Sequence, residues 1–303
     1  MKKTTQEPLI KFRPYQKELF WKKLRRLFAL WRRQGGKSYV LASKGLYRMM
    51  DRKNHLCIFC SASIPLGGEF ILKEAQVWNA VLQQFRKIAK ADNMQLTSNA
   101  DGLDIDAIAD LFEHEKLETK LWHDKTSYSR SRVVAPNPST AVGWTGDVFM
   151  DEVGRIENLK EVMEAIAPIM SSNPDFLWWL SSTPPPDDSH YSFELFAPPQ
   201  EEWATNEKGN WYDSLSGIPV HRVDAWDAMA AGVPLYDDNT GKVITPEEHR
   251  MQAFDKMAWD RNYAIRFVRG GTAAVSFASI SRAMSSGQHQ GVAAAITEEI
   301  LIS

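Results

Sequence analysis

The sequence of 303 residues is poor in the residues that mark several protein classes. It has two cysteines, Cys57 and Cys60, too few for a disulfide framework, which fits a reducing, cytoplasmic setting. It has no apolar run approaching the ~18 residues of a membrane span, so no membrane partner is expected. Lys2 and Lys3 are followed by polar and charged residues rather than an apolar stretch, which argues against a secretory signal. No G-x-S-x-G elbow supports Ser-His-Asp catalysis. His190, His221 and His249 are isolated from one another and fit polar surface positions. There is no internal repeat and no low-complexity tract.

What is present is a globular composition, 44% hydrophobic and 24% charged. The net charge of −2 conceals a strong asymmetry. Residues 1–53 hold 16 Lys or Arg against three carboxylates, while the remainder holds 20 against 35. A basic N-terminal sixth fits either a nearby polyanion or a solvated basic helix.

Apolar segments alternate with helical patterns. A helix is expected over 18–25 and a buried strand over 26–30 (RLFAL), followed by the polar loop WRRQGGKS. A second helix then places Tyr39, Ala42, Ser43, Leu46, Met49 and Met50 on one face. Further strands are expected at 55–60, 133–135, 148–150 and 176–181. A long helix opens at Pro65 with Ile71, Ala75, Trp78, Leu82 and Phe85 on one stripe, and another spans 158–170. Residues 92–130 carry no clear pattern. The alternation predicts an α/β fold with a mostly parallel sheet. From about residue 187 turn signals multiply, which suggests a smaller subdomain to residue 270.

Four short motifs carry chemistry. Arg33-Gln34-Gly35-Gly36-Lys37-Ser38 has the small residues, lysine and hydroxyl that a phosphate-binding loop needs: converging N–H groups, an ammonium for the β and γ phosphates, and a magnesium ligand. Trp31 stands where the general G-x-x-x-x-G-K-[ST] pattern has its first glycine, so an ordinary glycine turn before a helix fits as well. Val148-Phe149-Met150-Asp151-Glu152 is an apolar strand ending in two carboxylates, suited to holding Mg²⁺ and polarising water, or else a surface pair. Ser181-Ser182-Thr183-Pro184 puts hydroxyls at a strand end, as a γ-phosphate sensor or a plain turn. Phe12-Arg13-Pro14-Tyr15-Gln16 offers an amide for an adenine edge, or a surface turn. Cys57-x-x-Cys60 lies inside an apolar strand without a second ligand pair and reads as core rather than metal site. The eleven tryptophans read as packing residues before stacking platforms for nucleic acid.

The order and spacing of these motifs matter more than any one of them. RRQGGKS, NPSTAVGWTGDVFMDE and LSSTPPP together resemble the ATPase region of phage large terminase subunits, especially those of Mu-like phages and prophages, over residues 12 to about 285. That family's phosphate loop often reads Arg-Gln-x-Gly-Lys-Ser/Thr, without the first glycine. The resemblance implies an ASCE-type P-loop NTPase with ATP and Mg²⁺ as cofactors, in three segments: a core over 1–186, a lid or linker over 187–270 and a tail over 271–303.

The resemblance also implies residue roles. Gln16, Arg33, Gln34, Gly35, Gly36, Lys37 and Ser38 would bind ATP, with Gln16 reading adenine and Arg33 contacting phosphates of its own subunit. Ser38 and Asp151 would hold the metal, Glu152 would be the catalytic carboxylate beside Lys37 and Arg33, and Ser182 and Thr183 would couple hydrolysis to movement. The expected partners are double-stranded DNA, a portal protein, a small terminase subunit and further copies in a ring, in the cytoplasm of a host bacterium.

Two departures stand out. Many relatives carry an arginine just before the glycine corresponding to Gly143, where this chain has Val142. Arg130, Arg132 and Arg155 are the substitutes nearby. After residue 270 only Glu298 and Glu299 could serve a nuclease, so DNA cutting is expected to be absent. The alternatives are a helicase-like ATPase stimulated by nucleic acid and a truncated, inactive prophage remnant.

Overall fold

The computed structural model describes residues 10–91, 109–141, 145–199 and 210–267. Val142, Gly143 and the segment 271–303 lie outside them. Helix α1 spans Pro14–Trp21, strand β1 Arg26–Trp31 and helix α2 Lys37–Asp51. Strand β2 (Leu56–Ser61) leads into helix α3 (Ile64–Ala91), which is followed by β3 (Phe112–His114), β4 (Glu118–Trp122), β5 (Tyr128–Val134) and the single turn α4 (Pro138–Ala141). Then come β6 (Asp147–Asp151), α5 (Leu159–Ser172), β7 (Trp178–Ser182) and α6 (Ser192–Phe196). The described chain ends with β8 (Trp211–Asp213), β9 (Pro219–Val223), α7 (Ala225–Ala230), β10 (Leu235–Tyr236), β11 (Val243–Ile244), α8 (Pro246–Gln252) and α9 (Lys256–Asn262).

Nine strands form one sheet in the order β3-β4-β5-β2-β6-β7-β1-β9-β8. The six strands from β5 to β9 are mutually parallel, while β3, β4 and β8 each join the sheet through antiparallel pairing at its two edges. The inner strands are apolar throughout because helices cover both faces. Side chains alternate between those faces along each strand. Leu27, Ala29 and Trp31 join Phe59, Phe149 and Trp179 under α1, α2 and α3. Phe28 and Leu30 join Ile58, Val148, Met150 and Leu180 under α5. Phe59 stacks between Phe70 and Phe149, with ring centroids 4.5 and 5.0 Å away. Cys57 and Cys60 are free and buried, one on each face of the sheet, so they cannot converge on one ion.

Several expectations shift. Helix α1 begins at Pro14 rather than residue 18, because Pro14 fits the first helical turn and the backbone N–H of Arg13 donates to Gln16 Oε1 at 3.0 Å. It stops at Trp21, since Lys22 is already extended. Helix α2 is buried on most sides rather than along one stripe, being held by α1 and α3 as well as the sheet, and Met50 is exposed. The stripe on α3 buries Ile71, Trp78 and Leu82, while the Phe85 side chain lies outside the described residues. The patternless stretch 92–130 contains β3 and β4 and the start of β5. Strands β8 and β9 pair into the main sheet beside β1, so residue 187 marks no break in that sheet. Past β9, Leu235, Trp259 and Ala264 pack with Ala225 into a small satellite core.

Candidate functional site

Because β1, β6 and β7 are parallel, their C-terminal ends open on the same edge of the sheet, where α/β folds bind ligands. Strand β7 lies between β1 and β6. The loop after β1, the carboxylates ending β6 and the hydroxyls ending β7 are therefore neighbours.

The loop is shaped by its backbone. Gln34 (φ 59°) and Gly36 (φ 83°) both take the left-handed conformation. Gly36 is the N-cap of α2, and a Cβ on it would lie 2.4 Å from Gln16 Nε2. The positive end of a 15-residue helix thus points into the loop. Tyr15 Oη and Gln16 Nε2 both donate to the Gly35 carbonyl, at 2.8 and 3.2 Å. Gln16 spends its amide oxygen on Arg13 N–H, so in this conformation it braces the loop. Arg33 N–H donates to the Asn262 carbonyl at 2.9 Å, which ties the loop to the end of α9.

Trp31 is the last residue of β1 and fully buried, with its ring edge-on to Tyr15 at 4.9 Å. Its indole N–H donates to His221 Nδ1 at 3.1 Å. His221 is buried rather than on the surface, and burial holds its pKa down to about 3, so it stays a neutral acceptor. The position that is glycine in the general pattern here anchors the loop to β9. Of the arginine pair, Arg32 turns inward to the Val233 carbonyl at 3.3 Å, while Arg33 is half-buried near Glu152, whose charge it opposes.

The catalytic candidates converge. Ser38 Oγ donates to Asp151 Oδ2 at 2.5 Å, and Ser181 Oγ donates to Asp151 Oδ1. Lys37 is only 5% exposed and its Nζ donates to the carbonyls of Trp31 and Arg32 at 3.3 and 3.5 Å. The same ammonium lies 3.7 Å from Glu152 Oε1. Glu152 sits in a left-handed conformation (φ 52°), sparsely populated for a non-glycine residue. Its pKa is raised: burial dominates and the neighbouring Asp151 adds to it, against the opposing pull of Lys37 and Arg33. A carboxylate raised in this way is a better proton acceptor than a solvated one. Ser182 Oγ accepts from Gly154 N–H at 3.0 Å, where a side chain on Gly154 would collide with the same oxygen. Thr183 is buried beside this turn, its carbonyl 3.2 Å from where that side chain would begin.

The structure thus brings Arg33, Gly35, Gly36, Lys37, Ser38, Asp151, Glu152 and Ser182 together, with Gln16 behind the loop. Gln34 is exposed at its rim. Sequence reasoning passed over Ser181, Tyr15 and Gly154. Ser181 and Tyr15 stood inside quoted motifs, but which of two adjacent residues faces the site depends on strand and helix phase. Arg130 and Arg132 lie on β5, two strands from β6, within 3.9 and 4.0 Å of Glu118. Arg155 lies in the turn after Glu152.

Elsewhere, His55, Cys57 and Asp147 offer ligand atoms within 4.8 Å of one another. Arg48 already occupies both oxygens of Asp147, at 2.5 and 3.0 Å, and His55 Nε2 is 2.8 Å away. These contacts hold the Asp147 carboxyl below its ordinary range although burial pushes it up. A cation is already there, so the cluster is a buried ion-pair network locking α2 to β6.

No protein-family model matches the chain, and no curated protein matches it by sequence. Solved structures do match. The large terminase ATPase domain of Thermus phage P74-26 aligns over 85% of this chain and 94% of its own, at 16% identity and a TM-score of 0.57. A point mutant of that domain aligns over 85% and 95%, at 16% identity and a TM-score of 0.55. The chain has the fold of a phage large-terminase ATPase domain, a P-loop NTPase fold. Among the described residues, no helix is long and apolar enough to cross a membrane.

Proposed function

We propose that this chain hydrolyses ATP with the help of Mg²⁺ and uses the energy to drive double-stranded DNA into a phage procapsid, as the motor domain of a large terminase. One observation carries the reading. A phosphate-type loop with Lys37 and Ser38 faces an Asp151-Glu152 pair across the shared strand edge, with Ser38 on Asp151 at 2.5 Å and Lys37 beside Glu152 at 3.7 Å. A hydroxyl and a carboxylate, both hard oxygen donors, are the ligands Mg²⁺ favours, and they already point at one another. Ser38 and Asp151 would hold the ion, which, when bound, neutralises phosphate charge.

The residues then divide the work. Main-chain N–H groups around Gly35 and Gly36 and the α2 terminus receive phosphate oxygens. Lys37 exchanges its two carbonyl acceptors for the β and γ phosphates, and Arg33 adds positive charge from the same subunit. Glu152 takes a proton from the attacking water as the water oxygen bonds to the γ phosphorus, while the bond from that phosphorus to the β–γ bridging oxygen breaks and ADP leaves with that oxygen. Gln16 fixes the loop from behind and contributes to adenine recognition with its remaining N–H. Ser181 holds Asp151, while Ser182 and Thr183 grip the turn carrying Glu152, so a change at the γ phosphate reaches β7 directly. The portal protein, the small terminase subunit and a ring of copies are the assembly partners of this reading, in the cytoplasm of the host bacterium.

Steady-state ATP hydrolysis with and without duplex DNA, across a salt series, tests it. The expected result is Mg²⁺-dependent turnover that DNA stimulates, with the stimulation fading as salt rises because contacts to the phosphate backbone are screened. Absence of turnover with and without DNA would contradict the reading.

A further inference from the structure

The Glu152 carboxylate is held between two cations. Oε1 lies 3.7 Å from Lys37 Nζ, and Oε2 lies 3.9 Å from Arg155 Nε. Oε2 is buried, yet it receives no hydrogen bond. Lys37 cannot serve Glu152 and a triphosphate equally. Once its ammonium turns to the phosphates, Arg155 is the cation left beside the carboxylate.

Arg155 is placed by rigid backbone. Glu152 caps the 3₁₀ turn Val153–Arg155, and Arg155 N–H donates to the Glu152 carbonyl at 2.9 Å. The middle of that turn is bonded to Ser182 through Gly154 N–H. The Arg155 backbone is therefore fixed relative to both Glu152 and the end of β7, which keeps its guanidinium within reach of the carboxylate. Its side chain is half exposed, so the pair itself adds little to stability, and its loss leaves the fold intact.

We propose that Arg155 is a positioning residue of the same subunit: its guanidinium holds the Glu152 carboxylate in the path of the attacking water after Lys37 has moved to the phosphates. The inference rests on the ATPase reading above. It separates Arg155 from Arg130 and Arg132, which sit at Glu118 on the far side of β2.

The test compares wild type, Arg155→Ala and Arg155→Lys for kcat and KM with MgATP, alongside melting temperature. Arg155→Ala should lower kcat about 10- to 100-fold, the range for a misplaced catalytic group, with KM and melting temperature unchanged. Arg155→Lys should recover part of the loss, since it restores the charge without the planar fork. Mixing Arg155→Ala with Glu152→Gln distinguishes the subunit that acts. A same-subunit role gives no recovery, whereas an arginine reaching into a neighbouring site gives recovery. Wild-type kcat in Arg155→Ala, or recovery on mixing, overturns the proposal while leaving the ATPase reading standing. A wild-type protein that does not hydrolyse ATP overturns both.

Discussion

Glu74 offers a prediction whose size follows from its surroundings. The residue sits on α3, fully buried, facing β4 and β5. Its two oxygens accept from Ser131 Oγ at 2.6 Å and Thr119 Oγ1 at 2.7 Å, hydroxyls rather than a cation. Burial outweighs those hydrogen bonds and pushes the carboxyl from 4.5 up to about 7. Between these values the folded chain keeps a proton that the unfolded chain has released, so the folded state loses stability as pH rises. At about 1.4 kcal/mol per pH unit, the folded state loses about 3 kcal/mol across the window from roughly pH 4.5 to 7 and nothing further above it. Glu74→Gln keeps the shape and removes the titration. Urea unfolding of both proteins at a series of pH values should show the variant gaining on wild type by about 3 kcal/mol between pH 4.5 and 8. Parallel stability curves would refute the argument that this carboxyl is buried without a counter-charge.

Other predictions follow from the site and its supports. Gly36→Ala must place a Cβ at φ 83° and 2.4 Å from Gln16 Nε2, so it should cost about 1–2 kcal/mol in thermal unfolding and weaken ATP binding in titration calorimetry. Arg48→Ala leaves the Asp147 carboxylate and His55 buried without their cation and should destabilise by about 3–5 kcal/mol in urea unfolding. Lys37→Ala should abolish ATP hydrolysis with the near-native circular dichroism signal retained, because its partners are two carbonyls and one carboxylate of the site itself. Wild-type turnover in that variant would remove Lys37 from the chemistry.

The parts of this molecule that were legible in the sequence are local. The phosphate loop, the strand ending in Asp151-Glu152 and the strand ending in Ser181-Ser182 each lie within one short segment whose residue types announce their chemistry. Their parallel arrangement followed from apolar strands alternating with helices. What was hidden depends on contacts between distant segments. Nothing near Asp147 foretells Arg48 and His55, which lie 99 and 92 positions away. Trp31 looked like a defect in the loop until His221 on β9 supplied its acceptor. Strands β3, β4 and β8 are too short or too polar for periodicity to register, and they form the sheet edges where burial is weakest. Ser182 and Thr183 came from the family resemblance, whereas the bond from Ser181 to Asp151 depends on strand phase, which the motif alone does not fix.

The most direct test of the central claim is Glu152→Gln, measured for both ATP affinity and turnover. The site geometry predicts retained binding of MgATP with turnover lowered by about 100-fold or more, since the amide keeps the shape of the carboxylate but cannot take the proton. Turnover equal to wild type would contradict it.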